Sequence, residues 1–193
     1  MIMLYDSKKR LKKETAMTEK IELKDYTGHI ANMLPRGILL NTKTDKFNSM
    51  VIGWGNIGTT WNMPTFVAYV RENRYTKGCI DKTGEFSVSI PLDAPDTDIN
   101  KICGWKSGRD IDKVNEAGLT VCEPVALNTP GIKEYPLTLE CRVLHKCEID
   151  LSQLPAEIRE KMYPQDVEGT YPMANRDTHT VYTAQIVEAY IIR

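Results

Sequence analysis

The sequence predicts a mainly β protein with inserted helices, in which six to eight antiparallel strands form a barrel. Three apolar runs follow one another with only short polar or glycine-containing connections, and a fourth run alternates with the two-residue period of a strand. Two longer runs near the C-terminus complete the set. Short connections join antiparallel strands, whereas parallel strands need long crossovers. The runs cover residues 38–40, 47–52, 65–71, 85–91, 137–149 and 178–192.

The first three strands are expected to form a meander. The polar segment Thr42–Lys46 is predicted to be the turn between the first two strands. The second strand is expected to end in a glycine-spaced turn, Gly53–Gly58, and Pro64 restarts the apolar pattern. A βαβ unit is not expected, because no connection in this region is long enough for a crossover helix.

Helices are predicted where capping and stop residues flank the remaining segments. Thr76 is expected to cap a helix that Gly84 ends. Ser107 and Asp110 have the S-x-x-D spacing of a capping box, which predicts that another helix begins at Ser107 and ends at Gly118. The predicted helices cover residues 76–84, 96–104, 107–118 and 154–163.

Length, charge and cysteine content limit the possible functions. The 193 residues are enough for one domain, which we place at residues 21–193 after a charged N-terminal arm, residues 1–20. A net charge of −1 gives no general attraction to nucleic acid or to anionic membranes. No apolar run approaches the roughly 18 residues that cross a bilayer. The five cysteines form no C-x-x-C pair, which favours a reduced, cytoplasmic location.

The segment Gly53–Gly58 has the G-x-G-x-x-G spacing of a dinucleotide-binding loop. Such a loop follows a strand and opens a helix whose N-terminus binds the pyrophosphate. Here Pro64 and the next apolar run follow too soon for a helix, so we reject a Rossmann site. Two interpretations of the glycines remain. They mark a bulge and turn at a barrel corner, or they allow the backbone to approach a flat ligand closely.

Three polar clusters are candidates for a ligand site: Asn48–Ser49, Arg71–Lys77 and Ser107–Asp110. The second and third each place a hydroxyl beside arginine at a predicted helix start. Free backbone N–H groups, a hydroxyl and a guanidinium together suit a phosphate monoester. Each cluster alone is also what an ordinary helix cap requires, so both interpretations stay open.

In their order and spacing, these segments resemble the flavin reductase-like family over roughly residues 28–192. The resemblance implies an FMN-binding split β-barrel that forms a homodimer and holds FMN without a covalent bond near the dimer interface. The matching segments are Leu34–Gly37, Asn48–Trp54, Val70–Thr76, Ser107–Lys113, Ala117–Thr120 and His179–Tyr182.

The resemblance also implies a role for each matching residue. One strand would lie along the flavin ring and bind it mainly through backbone groups; its residues are Asn48, Ser49, Met50, Val51, Ile52, Gly53 and Trp54. The ribityl phosphate would be held by Arg71, Arg74, Tyr75 and Thr76, and a loop would close near the cofactor through Ser107, Gly108 and Arg109. His179 would approach the reaction site as the candidate catalytic residue.

The chain departs from the family pattern at two places. Val51 and Gly53 stand where the family commonly has the Thr and Ser of M-T-x-S-W, so contacts there must come from the backbone. Ala184–Gln185 replaces a Gly-Glu pair in the last strand. These departures do not change the implied binding of FMN, but they leave open how a substrate is bound.

The implied activity is flavin reduction by NAD(P)H, with a non-catalytic, flavoredoxin-like electron carrier as the alternative. Because the flavin carries the redox chemistry, no side-chain nucleophile is required. A third interpretation is a zinc site on one strand, where Cys141, His145 and Cys147 share a face if the strand has no bulge. We do not predict a metal, because a fourth ligand is missing.

Overall fold

The computed structural model describes residues 17–168 and 176–193. The basic run of the predicted arm, Lys8–Lys13, lies outside the described residues. Thr18–Lys20, at the end of the predicted arm, forms a strand that pairs with the C-terminal strand. In the described part of the chain, no helix has the length and apolarity needed to cross a membrane.

The strands and helices confirm a mainly antiparallel β fold with inserted helices. The strands are β1 (Thr18–Lys20), β2 (Ile38–Lys43), β3 (Phe47–Ile52), β4 (Gly55–Thr60), β5 (Met63–Arg71), β6 (Glu85–Ile90), β7 (Val121–Cys122), β8 (Gly131–Ile132), β9 (Leu137–Glu148) and β10 (His179–Ile192). The α-helices are α1 (Thr27–Met33), α2 (Tyr75–Thr83), α3 (Thr97–Trp105), α4 (Lys113–Ala117) and α5 (Ala156–Met162).

The main sheet has the order β3-β2-β6-β9-β10-β5-β4, with β1 added beside β10, and β7 pairs with β8 separately. Every pairing is antiparallel. Among the described residues β3 and β4 are the two ends of this order, so the sheet is not closed. An open sheet of this kind is compatible with the split barrel implied by the sequence.

The predicted meander of the first three strands is wrong. β3 pairs with β2, whereas β5 pairs with β4 and β10. The predicted glycine-spaced turn is also wrong, because Gly55–Thr60 is itself a strand. The turn lies one step later, at Trp61 and Asn62, where φ is 51° and 59°. Two consecutive positive φ values are typical of the tight hairpin turn that matches the twist of paired strands.

No helix follows the G-x-G-x-x-G segment, in agreement with the rejected Rossmann site. One of its glycines, Gly55, is instead required by packing. A Cβ added to Gly55 would lie 2.6 Å from the carbonyl oxygen of Val67 on the neighbouring strand, so β4 and β5 approach too closely there for a side chain.

The core lies mainly on one face of the sheet, where fully buried side chains of β2, β5, β6, β9 and β10 pack together. A second cluster attaches α3 to the other side of β2. In it Ile99 and Cys103 of α3 pack with Leu39, Ile132 and Tyr135. This second cluster fixes α3 beside β3, and the space between these two elements is the cleft described below.

The sequence pattern of α3 explains both its start and its orientation. The carboxylate of Asp96 accepts hydrogen bonds from the backbone N–H groups of Asp98 and Ile99, both at 2.9 Å, as an N-cap. Ile99 and Cys103 lie four residues apart and are buried. Lys101 and Trp105 lie on a different side of the helix and face the cleft. The helix therefore presents one apolar face and one cleft face.

Two predicted helix starts are corrected by the structure. Arg74, not Thr76, is the N-cap residue of α2, and the Thr76 hydroxyl instead accepts a hydrogen bond from Asn48 at 2.9 Å. Ser107 begins a turn and not a helix, and its hydroxyl accepts from the backbone N–H of Arg109. The following helix begins only after Asp112, whose carboxylate caps it. Asp112, five residues after Ser107, is also a favourable N-cap residue, and the helix begins after it.

A bulge in β9 contradicts the interpretation of Cys141, His145 and Cys147 as a zinc site. His145 pairs with Thr183 and Val143 with the adjacent Ala184, so Leu144 is left without a partner. The extra residue reverses the alternation of faces, and Cys141 therefore lies on the opposite face from His145 and Cys147. Within residues 17–168 and 176–193, no cluster of His, Cys, Asp or Glu could hold a metal ion.

We expect Asp96→Ala to lower the free energy of unfolding by about 1 kcal/mol, because two N–H groups at the start of α3 lose their acceptor. Urea unfolding followed by circular dichroism measures the change. Asp93→Ala is the matched control, since Asp93 is exposed on the preceding loop and is no part of the cap. Equal stability of the two variants would contradict the capping role.

Candidate functional site

Two adjoining clefts lie beside β3. The larger has a volume of about 1040 Å³ and separates β3 from the cleft face of α3. The smaller, of about 220 Å³, lies between the start of α2 and the turn that follows α3. Met50 and Arg74 line both clefts, so the two spaces meet at these residues. Together they form an elongated site with a wide end and a narrow end.

The edge of β3 gives the larger cleft its backbone hydrogen-bonding groups. β3 pairs on one side only, with β2. The Ser49 carbonyl points away from β2, since it accepts a hydrogen bond from Lys113. In an antiparallel pair every second residue directs both its N–H and its C=O outward. Val51 therefore presents both backbone groups at the open edge, inside the cleft that it lines.

An aromatic group forms the wall at the far end of β3. The rings of Trp54 and His179 are 4.8 Å apart between centroids and tilted by 33°. Tyr163, which ends α5, packs edge-on against both rings, and its hydroxyl lies 3.1 Å from Nδ1 of His179. Trp54 and His179 face the cleft, whereas Tyr163 supports them from behind.

His179 is uncharged at neutral pH. Its burial, and then the positive charge of Arg71, lower the pKa of the imidazole to about 4. An imidazolium at this place would be poorly solvated and close to a like charge, so the neutral ring is favoured. His179 can accept or donate a hydrogen bond here, but it is not an acid at physiological pH.

The two arginines of the second predicted cluster, Arg71 and Arg74, have different surroundings. Arg71, only 7% exposed, binds the carboxylate of Asp177 through Nε at 2.9 Å and through a terminal nitrogen at 2.8 Å. This pair holds the chain at the start of β10. Arg74 donates to the carbonyl of Gly104 at 3.3 Å, and burial followed by the charge of Arg71 lowers its pKa. Arg74 faces both clefts and is placed to meet an anion at their junction.

The narrow cleft contains an oxygen atom without a partner. Asn48 is 2% exposed, and its side-chain nitrogen donates to Thr76, but Oδ1 has no hydrogen-bond partner in the described residues. Gly108 comes so close that an added Cβ would collide with this oxygen. The backbone N–H groups at the start of α2 lie beside it, and helix N-termini favour anions.

Lys113 is a site residue that the sequence-based assignment of roles missed. It is 4% exposed, and its ammonium donates to the carbonyl of Ser49 at 2.8 Å and to that of Cys103 at 2.7 Å. Burial lowers its pKa to about 8. An ammonium has three donors, so one remains after these two bonds, and Lys113 lines the narrow cleft.

Basic residues dominate both clefts. Seven basic side chains line them, and no Asp or Glu of the described residues does. Some have partners, as Arg71 has Asp177 and Lys106 has Glu116. The absence of lining carboxylates among residues 17–168 and 176–193 nevertheless makes the site suited to an anionic ligand. The seven are Arg36, Arg71, Arg74, Lys101, Lys106, Arg109 and Lys113.

Most of the residues that the sequence assigned to the site line one of these clefts. The wide cleft is lined by Met50, Val51, Ile52, Gly53, Trp54, Arg71, Arg74 and His179. The narrow cleft is lined by Asn48, Met50, Arg74, Tyr75, Thr76, Ser107, Gly108 and Arg109. Ser49 lines neither; it is buried, and only its carbonyl contributes, through Lys113.

Several further lining or supporting residues were not predicted, among them Tyr69, Trp105, Lys113 and Tyr163. Lys113 ends a segment that carried the family resemblance, so its motif was available as a signal. Trp105 lies outside the segments that carry the family resemblance, and the structure places it, with Trp54, in the wide cleft. Tyr163 follows a short helix far along the chain, and no motif marks its contact with His179.

The chain belongs to the flavin reductase like domain family, whose sequence profile matches residues 31–193. An uncharacterized protein of Archaeoglobus fulgidus is 30% identical over 124 residues, which cover 62% of this chain and 69% of that protein. The family assignment therefore covers the whole of the sheet from β2 onward, together with both clefts.

Solved structures support the same fold. A flavoredoxin from Methanosarcina acetivorans is similar with a TM-score of 0.57 and 27% identity, over 80% of this chain and 67% of that one. An FMN-binding domain of a flavin reductases-like enzyme from Shewanella baltica OS155 has a TM-score of 0.61 at 14% identity, over 93% of this chain and 79% of that one.

The lowered pKa of His179 predicts how stability depends on pH. Between about pH 6.5 and pH 4 the unfolded chain binds a proton at His179 that the folded chain does not. The stabilising contribution of the neutral ring is thus complete above about pH 6.5 and decreases as the pH falls towards 4. We expect the folded protein to show constant His179 imidazole NMR signals from about pH 8 to about pH 5. A midpoint near pH 6.5 would contradict the assignment.

Proposed function

We propose that this protein binds FMN without a covalent bond and passes electrons from NAD(P)H to or through it. The observation that carries the proposal is the pair of joined clefts, which match the two halves of FMN. The wide cleft is lined by the edge strand β3 and by two tryptophans, and the narrow cleft is basic and bounded by the N-terminus of a helix. Family membership supports the same cofactor.

The narrow cleft would hold the phosphate. Its candidate donors are the first N–H groups of α2, the guanidinium of Arg74 and the remaining N–H of Lys113. These donors carry positive charge or partial charge and suit the three oxygens of a phosphate monoester. Arg109, held over the ring of Tyr75 at 5.6 Å and bonded to the carbonyl of Asn73, would cover the phosphate from the solvent side.

Oδ1 of Asn48 is covered by Gly108, and a small shift of the turn at Gly108 would let a hydroxyl of the ribityl chain reach it. A buried polar atom without a partner is unfavourable, and a ligand hydroxyl can donate the missing hydrogen bond. Asn48 lies in β3 near Met50, where the two clefts join. The ribityl chain connects ring and phosphate and must pass this junction.

The wide cleft would hold the flavin ring against β3. The outward N–H and C=O of Val51 have no strand partner among the described residues, and they would match the alternating donors and acceptors along the pyrimidine edge of the ring. The replacement of Thr and Ser by Val51 and Gly53 leaves these backbone groups unchanged. Trp54 and His179 would bound the other end of the ring.

Bound FMN would supply hydride and single-electron chemistry, and the residues of this chain would hold and orient it. His179 is uncharged and lies at the cleft wall, where it can bind a polar group of the ligand without supplying a proton. No side chain needs to act as a nucleophile. This simplicity is compatible with a reductase and equally with a carrier.

The carrier alternative is favoured by one comparison, the flavoredoxin at 27% identity. The two functions differ in whether NADH reduces the bound flavin. The homodimer and the cytoplasmic location remain predictions from the sequence.

The test is an absorption spectrum of the purified protein in the flavin region, before and after FMN is added. We expect FMN to bind in a one-to-one ratio with each chain. Anaerobic mixing with NADH in a stopped-flow instrument then distinguishes the functions. Loss of the flavin absorption supports a reductase, and an unchanged spectrum supports a carrier. A protein that is colourless and does not bind added FMN would disprove the proposal.

We expect Arg74→Ala and Lys113→Met to weaken FMN binding by roughly tenfold to a hundredfold, because a hydrogen bond to a charged phosphate contributes about 1.5–3 kcal/mol. Riboflavin, which lacks the phosphate, should lose much less affinity in Arg74→Ala. Fluorescence titrations of both ligands measure this difference, with Lys24→Ala as a control for the loss of an exposed charge elsewhere. Equal losses for FMN and riboflavin in Arg74→Ala would mean that Arg74 maintains the fold and does not bind phosphate.

A further inference from the structure

Two exposed basic side chains line the wide cleft where it opens to solvent, here called its mouth, and neither lines the narrow cleft. These residues are Arg36 and Lys101. They come from distant parts of the chain. A hydrogen bond of 3.2 Å from the side chain of Asn100 to the carbonyl of Gly37 joins their immediate neighbours.

The close approach at this point is built into the backbone. Gly37 has a φ of 95°, and a Cβ there would lie 2.8 Å from Asn100 and 3.1 Å from Val51. Glycine is the residue that tolerates both the positive φ and the contact. The end of the 3-10 helix Leu34–Arg36 is thereby held against α3, which keeps the two cations at one mouth.

Within the described residues, neither cation has a charged partner. No carboxylate in residues 17–168 or 176–193 forms an ion pair with Arg36 or Lys101. The only contact of the Arg36 guanidinium is a weak one with the sulfur of Met33, at 3.9 Å, in that part of the chain. The phosphate of FMN would lie in the narrow cleft and would not reach them.

The same mouth has room and flat apolar surface for a second molecule. A volume of about 1040 Å³ is at the upper limit of the ~300–1,000 Å³ typical of pockets that hold one drug-sized ligand. Trp105, one turn beyond Lys101 on α3, leaves 65% of its surface exposed at this mouth. Pro35 and Pro95 also line it. An exposed indole beside two cations suits a flat molecule that carries negative charge.

We propose that Arg36 and Lys101 bind the negative charge of the flavin's redox partner, a flat aromatic anion whose ring packs near Trp105. This inference rests on the proposed flavin site, since it assigns the open end of the same cleft. The charge is either the pyrophosphate of a dinucleotide or a carboxylate attached to an aromatic ring. Both present oxygens that a guanidinium and an ammonium bind.

The experiment measures equilibrium binding and does not depend on turnover. FMN-loaded protein is titrated by calorimetry with NAD⁺, with benzoate and with benzamide, which has nearly the shape of benzoate but no charge. The variants are Arg36→Gln and Lys101→Gln. Lys24→Gln removes the same charge from an exposed site outside both clefts and is the matched control.

We expect at least one anion to bind more tightly than benzamide and to lose roughly two- to fivefold in affinity with each cleft variant, as for exposed ion pairs. Added salt should weaken the same binding in the unchanged protein. Binding of NAD⁺ alone would identify a dinucleotide as the source of the charge, and binding of benzoate a simple aromatic acid. The control variant should bind both anions as the unchanged protein does.

The inference is overturned if neither anion binds, or if an anion binds with the same affinity to all variants. Equal losses for benzamide would also overturn it, because they would indicate a change of shape. If FMN itself does not bind, the proposed function fails separately. The anion would then have no role as a redox partner of a flavin, and titrations of the flavin-free protein would test the remaining part of the inference: charge-dependent binding of an aromatic anion at Arg36 and Lys101 would support that part, and its absence would refute it.

Discussion

A buried ammonium group holds the two walls of the site together. Lys113 bonds to the carbonyl of Ser49 on β3 and to that of Cys103 on α3, while it starts α4 itself. Three elements that are separated along the chain thus meet at one charge. Burying that charge is unfavourable unless it is well bonded, so the position of both walls is closely determined by it. The clefts, the free edge of β3 and the orientation of α3 all depend on this arrangement.

Local signals in the sequence predicted the elements whose ends are set locally. Asp96 caps α3, Gly84 ends α2 with a φ of 70°, and the last strand runs to Ile192 as expected. The strand at Gly55–Thr60 was missed, since its glycine spacing resembles a turn and its pairing with β5 is a tertiary effect. At Ser107 two capping signals competed within six residues, and local pattern alone does not show which one wins.

The candidate site was predicted where motifs are continuous and missed where contacts are distant. The segments Asn48–Trp54 and Arg71–Thr76 converge because β3 and β5 bring their ends to the same clefts. The roles of Lys113 and Tyr163 depend on burial and on partners far along the chain, at Ser49 and His179. A sequence pattern does not show directly how deeply a side chain is buried or which distant residue it contacts. The bulge at Leu144 is a similar case, because one unpaired residue decides which side chains share a face.

The edge position of β3 has a consequence for association of the protein with itself. An unpaired strand edge is normally a template on which another strand can add. Strand addition needs a run of outward backbone groups at every second residue. Here the outward carbonyl of Ser49 is already occupied by Lys113, and α3 packs along the same strand. The N–H and C=O of one residue, Val51, are too short a template for a strand but long enough for one edge of a small ring. Because Lys113 and α3 cover most of its edge, β3 is protected from pairing with another strand, and the part that stays open can bind only a small molecule.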